Sequence, residues 1–187
     1  MREWARTVKL YVALSVLTGL LYPILVTGIA WVTVPHKAGG SPVVRNGAVV
    51  GSELIGQAWS SPGYFHGRPS AVNYAADRSG ATNVAVSSRA FWVDALRRAM
   101  QIRRENGLPP TARVPADLVL GSGSGLDPHI SVESALLQVN RVARSRGKSP
   151  SQLVALIRRI AEPPQWGVLG SWRVNVLRLN LALDELR

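Results

Sequence analysis

LYVALSVLTGLLYPILVTGIAWVTV, residues 10–34, contains no Asp, Glu, Lys, Arg or His. At about 1.5 Å per residue such a run reaches roughly 37 Å as a helix, against a hydrocarbon core of about 30 Å. It reads as one tilted membrane span. Arg2, Arg6 and Lys9 crowd its N-terminal side against a single Glu3, while Lys37 and Arg45 are sparser on the other side. The positive-inside rule therefore expects residues 1–9 in the cytoplasm, a span over residues 10–34, and residues 35–187 outside the cell (inner or plasma) membrane. A cleaved leader is the competing reading, since Gly28-Ile29-Ala30 is a small-x-small site. The run is longer than the usual apolar core of about 7–15 residues and continues past that site, which favours a retained anchor. Ser15, Gly19, Pro23 and Thr27 recur every fourth residue and make a candidate helix-packing face. The same residues are also ordinary constituents of membrane helices. Pro23 leaves the Gly19 carbonyl without its helical donor, so a local distortion is expected there.

Working outward from the span, residues 35–42 read as a linker. Val43-Val44 and Val49-Val50 flank Asn46-Gly47, the signature of a tight hairpin, with Leu54 and Ile55 as a continuation of its second strand. Residues 56–86, rich in Gly, Ser, Pro and Asn, read as a structured loop. A helix capped by Ser87 or Ser88 carries Phe91, Trp92, Ala95, Leu96, Ala99 and Ile102 as an apolar stripe and stops at Gly107. Val114 to Leu120 looks extended. A second helix takes Ser131 as N-cap and ends at Gly147, and a third begins at Ser149-Pro150. Residues 174–186 admit strand or helix; Asn175 as a cap selects helix. The expected class is α+β: one N-terminal transmembrane helix followed by a single mixed α/β domain.

The net charge of +11 is carried almost wholly by arginine, and no nucleic-acid motif accompanies it, so it reads as a solvated basic face. The chain has no cysteine. His36, His66 and His129 are far apart in sequence, so no metal site is expected. Gly121-Ser-Gly-Ser-Gly125 invites a phosphate-loop reading, but the run continues Leu126-Asp127-Pro128 without the Gly-Lys-Ser/Thr ending that grips phosphate. The dinucleotide fingerprint fails because its third glycine arrives one residue early. A nucleophile elbow read into the same run lacks any histidine after His129 to complete a triad. No catalytic residue is assigned, and the chain is not expected to be catalytic alone. Tyr64 to Ser70 is either an exposed interface or a core loop in which Arg68 bonds buried carbonyls.

Several runs together resemble one family. They are Thr18 to Ala30, Gly51-Ser-x-Leu-Ile-Gly-Gln57, Tyr64-Phe-x-Gly-Arg-Pro-Ser-Ala71 and Ser122-Gly-Ser-Gly-Leu-Asp-Pro-His-Ile-Ser131. Gln138, Arg141, Val142, Ala143 and Arg146 continue the likeness, as do Arg173 to Leu177 and Leu179 to Asp184. The sequence is identified as a member of the C-subunit (KdpC) family of bacterial potassium-transporting P-type ATPases. The departures are Leu120-Gly121, where a threonine and a small residue are usual, and Arg178, where an acid is common. The resemblance implies an accessory subunit of an ATP-driven potassium transport pump, needed for its assembly and stability. The implied partners are a channel-like potassium-binding subunit, a P-type ATPase subunit and a small additional membrane subunit. It also implies a catalytic-chaperone role that raises the pump's ATP affinity, and hence ATP as a ligand with no residues assigned and no cofactor held stably. An outer domain conflicts with direct contact to cytoplasmic ATP. The signature-loop residues are Arg68, Pro69, Ser70, Ser122, Gly123, Ser124, Gly125, Leu126, Asp127, Pro128 and His129. The alternatives are a freestanding membrane-anchored surface protein without a pump partner, and a nucleotide-responsive regulator facing the cytoplasm.

Overall fold

In the computed structural model, which describes residues 1–186, the apolar run lies, all but its last residue Val34, in one unbroken helical stretch, Arg2–Thr33. It comprises α1 (Arg2–Val16), a single π turn (Leu17–Leu21) and α2 (Tyr22–Thr33). The π turn has a local cause. Pro23 cannot donate to the Gly19 carbonyl, and the Tyr22 N–H bonds to the Leu17 carbonyl, five residues back. The Thr18 and Thr33 hydroxyls donate to the carbonyls of Leu14 and Ile29, both at 2.8 Å, so neither is left unpaired in an apolar setting. No residue of α1 or α2 is buried. An apolar helix of this length without protein cover suits a lipid surrounding.

A one-turn helix, α3 (Pro35–Ala38), and a hairpin of β1 (Pro42–Arg45) and β2 (Ala48–Ser52) follow. Asn46 and Gly47 both have positive φ, 51° and 78°, the type I′ geometry that an Asn-Gly pair favours. Leu54 and Ile55 do not prolong β2 as the sequence suggested. Ser52 Oγ accepts the Leu54 N–H at 3.1 Å and turns the chain away. The chain divides into two compact units, Met1–Val50 and a second that starts at Gly51.

In the second unit, residues 56–88 form no helix or strand. α4 (Arg89–Asn106) starts where Ser88 accepts the Ala90 N–H, and it ends at Gly107 with φ of 66°. Next come α5 (Ala116–Val119), β3 (His129–Ser131), α6 (Val132–Arg146), α7 (Pro150–Ile160), β4 (Arg173–Asn175) and α8 (Val176–Asp184). The expected α+β domain is thus present, but residues 114–120 are not a strand. Pro115 heads a single helical turn there, and the Asp117 carboxylate fixes it by accepting the Ser131 N–H at 2.6 Å and the Ser134 hydroxyl at 2.6 Å. The sequence-predicted caps Ser131, Ser149 and Asn175 all accept a first-turn N–H, and Ser149 shares a reciprocal capping box with Gln152.

β3 pairs antiparallel with β4, with Ile130 opposite Val174. This two-strand ribbon, α6, α7 and α8 enclose the core. Val139 and Val142 of α6 meet Leu153, Leu156 and Ile157 of α7 and Leu179 and Leu183 of α8, with Phe65 inserted from the long loop. Cutting a fully buried leucine such as Leu153 to alanine costs about 2–5 kcal/mol in cores of this kind. The expected stripe on α4 splits. Phe91, Ala95, Ala99 and Ile102 are half-buried, whereas Trp92 and Leu96 face outward with Val93 and Met100.

Candidate functional site

The Tyr64–Ser70 segment and the Ser122–His129 loop meet in the second unit through Arg68. Its Nη1 donates to Asp127 Oδ2 at 2.9 Å and its Nη2 to the Gly121 carbonyl at 3.3 Å, while its Nε is buried without a partner. The Tyr74 hydroxyl donates to the Arg68 carbonyl. Ser70 Oγ accepts the N–H groups of Val72 and Tyr74. Asp127 Oδ1 accepts the His129 N–H at 2.9 Å and lies 3.6 Å from His129 Nδ1. Burial pushes the Asp127 carboxyl up, but the bonds from His129 and Arg68 outweigh it and hold the group down at about 2. Burial raises the Tyr74 phenol.

The glycine-rich loop is used by its neighbours' backbones. Gly56 N–H donates to the Leu126 carbonyl at 2.7 Å, Gly80 N–H to the Ser124 carbonyl at 2.8 Å, and Val176 N–H to the Pro128 carbonyl at 2.9 Å. Gly125 has φ of 69°, and a Cβ there would sit 2.7 Å from the Gly80 carbonyl oxygen. A Cβ on Gly56 would sit 2.7 Å from the Asp127 carbonyl oxygen. The loop runs into β3 rather than directly into a helix, so it lacks the helix N-terminus that a phosphate cradle uses. Its geometry is that of a tight structural joint.

The α6 helix supplies a second set of tethers. Gln138 accepts the His66 N–H at 2.8 Å and donates to the His66 carbonyl at 3.1 Å. Arg141 donates to the carbonyls of Pro62 and Tyr64 at 2.6 and 2.9 Å, to Asn106 Oδ1 at 3.0 Å and to Gln138 Oε1 at 2.6 Å. Asn180 on α8 holds both backbone groups of Phe65, at 2.9 and 3.0 Å. Arg146 donates to the Gly63 carbonyl, pairs with Asp184 at 2.9 Å and lies over the Tyr64 ring at 4.3 Å. Within the chain, residues 64–70 are tethered as a loop against the core, with Phe65 buried and the other six residues half-buried. A cavity of about 250 Å³ opens beside it, lined by His66, Arg68, Tyr74, Arg98, Glu105 and Gln138. Burial and the nearby Arg141 charge lower the His66 pKa. Among the described residues no group of three or more His, Cys, Asp or Glu could hold a metal ion.

Sequence reasoning left Asn106, Asp117 and Asn180 unassigned. Asn180 carried a faint signal, a polar residue set among the leucines of an otherwise apolar helix face. In the first unit, Ser15 lies in α1, Gly19 in the π turn, and Pro23 and Thr27 in α2. A row of every fourth residue drifts by about 40° per step around a regular α-helix. The π turn takes more residues per revolution, which reduces that drift between Gly19 and Pro23.

At the two family departures, the Gly121 carbonyl receives Arg68. Arg178 pairs with Glu53 at 2.5 Å and with Glu162 at 3.2 Å. The Glu53 hydrogen bond raises its pKa.

Residues 4–185 match the family model described as KdpC, K+-transporting ATPase, c chain. Three similar proteins are each named potassium-transporting ATPase KdpC subunit. That of Dechloromonas aromatica is 48% identical, covering 96% of this chain and 95% of its own length. That of Rhodospirillum rubrum is 47% identical, covering 94% and 92%. That of Rhodopseudomonas palustris (strain TIE-1) is 46% identical, covering 98% and 97%. With a match running from Trp4 to Glu185 and a signature loop locked into the fold it serves, the chain belongs to the KdpC family of K+-transporting ATPase c chains.

Proposed function

We propose that the chain is a non-catalytic accessory subunit of an ATP-driven potassium uptake pump, required for the assembly and stability of that complex. A single helix anchors it in the cell membrane, with the N-terminus cytoplasmic and the mixed α/β domain outside. Its partners are the channel-like potassium-binding subunit, the P-type ATPase subunit and a small further membrane subunit. The observation that carries the reading is the pairing of a 32-residue helix that contains all but the last residue of the charge-free run and has no buried side chain in α1 or α2 with a domain in which Arg68 and Asp127 of the signature loops hold each other in place. The basic residues at positions 2, 6 and 9 support the orientation, and the names of the relatives support the pump. Any effect on ATP affinity is exerted through the assembled pump and not by nucleotide held in the glycine-rich loop. Micromolar, ATP-selective binding by the purified full chain at physiological salt would overturn that clause.

The test uses the absence of native cysteine. Single cysteines replace the exposed Ser87 and Ser151, and the tagged chain is expressed with the remaining pump subunits in cells lacking an outer-membrane barrier. Both positions are expected to react with an impermeant thiol reagent on intact cells, and the tagged chain is expected to retain the other subunits. Labelling only after lysis overturns the orientation in favour of a cytoplasmic regulator. Purification of the chain alone overturns the assembly role in favour of a freestanding surface protein.

A further inference from the structure

Pro163 to Trp172, PPQWGVLGSW, is a stretch without a charged residue in a chain of net charge +11. It is also the segment of the second unit with the most exposed aromatic side chain. Trp166 is 89% exposed and Val168 77%, with Leu169 and Trp172 both more than half exposed. The segment is nevertheless ordered by its own backbone. Gln165 and Leu169 exchange both hydrogen bonds, at 2.9 and 3.0 Å, around a turn closed by Gly167 N–H to the Pro164 carbonyl at 3.0 Å. Below it, Glu162 and Arg173 exchange a second pair, at 2.8 and 3.1 Å. The result is a short hairpin finger that presents two tryptophans and two aliphatic side chains to solvent.

A finger fixed before binding loses little chain entropy on docking, and exposed tryptophans are the side chains most often dominant in protein interfaces. The charged groups at its base are engaged with one another. The Glu162 carboxylate receives Arg173 and Arg178 at 3.2 Å each, and Arg178 also reaches Glu53. The choice of a protein partner rests on the family, whose members are named as subunits of a K+-transporting ATPase. A membrane-inserting loop is helped by a basic collar left free for headgroups. Arg173 and Arg178 are paired with carboxylates, but Arg158 and Arg159 on the last turn of α7 are exposed, so crosslinking, and not the charge pattern, separates lipid from protein. The uncharged face also excludes a partner recognised through ionic contacts.

We propose that residues 163–172 are a docking finger that seats in an uncharged, apolar cleft on another subunit of the potassium pump. The proposal rests on the reading of the chain as an assembly subunit. It assigns Trp166 and Trp172 as the anchors, with Val168 and Leu169 filling the space between them.

The experiment uses the full chain co-expressed with the rest of the pump. One variant carries p-benzoylphenylalanine in place of Val168, and a second combines Trp166→Glu with Trp172→Glu. Irradiation of the first is expected to yield an adduct with another pump subunit. The second is expected to retain the other subunits roughly tenfold less well than wild type, or worse, with an unchanged thermal melt because both side chains are exposed. If wild type itself retains no other subunit, the assembly reading falls and the finger falls with it. If wild type retains them, the finger alone is overturned by equal retention in the double variant, by adducts only with lipid, or by adducts only with a second copy of this chain.

Discussion

Two glycine-containing connections in the same domain behave in opposite ways. The loop over residues 121–128 turns inward. Its carbonyls accept bonds from Gly56, Arg68, Gly80 and Val176, and its Asp127 carboxylate is held by Arg68 and the His129 N–H. The finger over residues 163–172 turns outward, bonds among the described residues to itself and its base, and leaves its large side chains more than half exposed. Both rely on a left-handed glycine, Gly125 with φ of 69° and Gly167 with φ of 78°. Local turn chemistry therefore does not separate a joint that holds a domain together from a surface offered to a partner. What separates them is whether the residues at the turn have somewhere to go within the chain.

The largest expected effect comes from the two glycines. A methyl group at position 125 would be held in a left-handed conformation and would also meet the Gly80 carbonyl oxygen at 2.7 Å and Val72 Cγ2 at 2.9 Å. A methyl group at position 167 would meet nothing within 4 Å. Left-handed strain costs about 1 kcal/mol in each, and overpacking adds about 1–3 kcal/mol at position 125 only. Thermal or denaturant unfolding of the full chain should show Gly125→Ala losing about 3 kcal/mol and Gly167→Ala about 1 kcal/mol. Equal losses would erase the distinction between the two loops.

A smaller effect tests the electrostatics of the inward loop. The Asp127 carboxyl is lowered in the folded chain, to about 2 from 3.8, by the His129 and Arg68 bonds acting against burial. A depressed carboxyl pKa contributes stability that is present above pH 3.8 and is lost as pH falls toward 2, because the unfolded chain binds the proton first. With solvent screening the contribution is about 1 kcal/mol. Wild type should therefore lose that amount between pH 4 and pH 2 beyond what Asp127→Asn loses. Parallel acid limbs for the two proteins would show that Arg68 and Asp127 share geometry without a working charge pair.

Most of the framework was legible because it depends on contacts close in sequence. Ser131, Ser149 and Asn175 cap helices, Gly107 and Gly147 end them, and Asn46-Gly47 turns the hairpin, each through bonds that span only a few residues. The errors fall where a distant partner decides. Residues 114–120 read as extended from their valine and leucine content, but Asp117 is fixed by Ser131 and Ser134. The α4 pattern could not show that Trp92 and Leu96 face outward, because which side of a helix meets the core is set by the rest of the fold. The site was legible as a set of residues and not as an arrangement. The likeness to the family picked out Arg68 and Asp127, yet their 2.9 Å contact joins positions 59 residues apart. Asn180, whose amide holds Phe65 across 115 residues, gave only the faint signal of a polar residue in an apolar row.

The smallest expected effect concerns the outward loop, and its sign is what matters. Trp166 has φ of 51°, a conformation that costs a bulky L-residue about 1 kcal/mol and that asparagine adopts more readily. Its indole is 89% exposed, so removing it from the free chain forfeits little burial. Trp166→Asn should therefore leave the stability of the isolated chain unchanged or raise it by about 0.5–1 kcal/mol, a rise of about 2 °C in Tm for a domain of this size. A gain accompanied by poorer retention of pump subunits would mark Trp166 as a residue kept for binding at some expense of stability. A loss of more than about 1 kcal/mol would mean that the indole already packs against its own chain. The finger would then belong with the inward loop as a structural joint, and the contrast between the two connections would collapse.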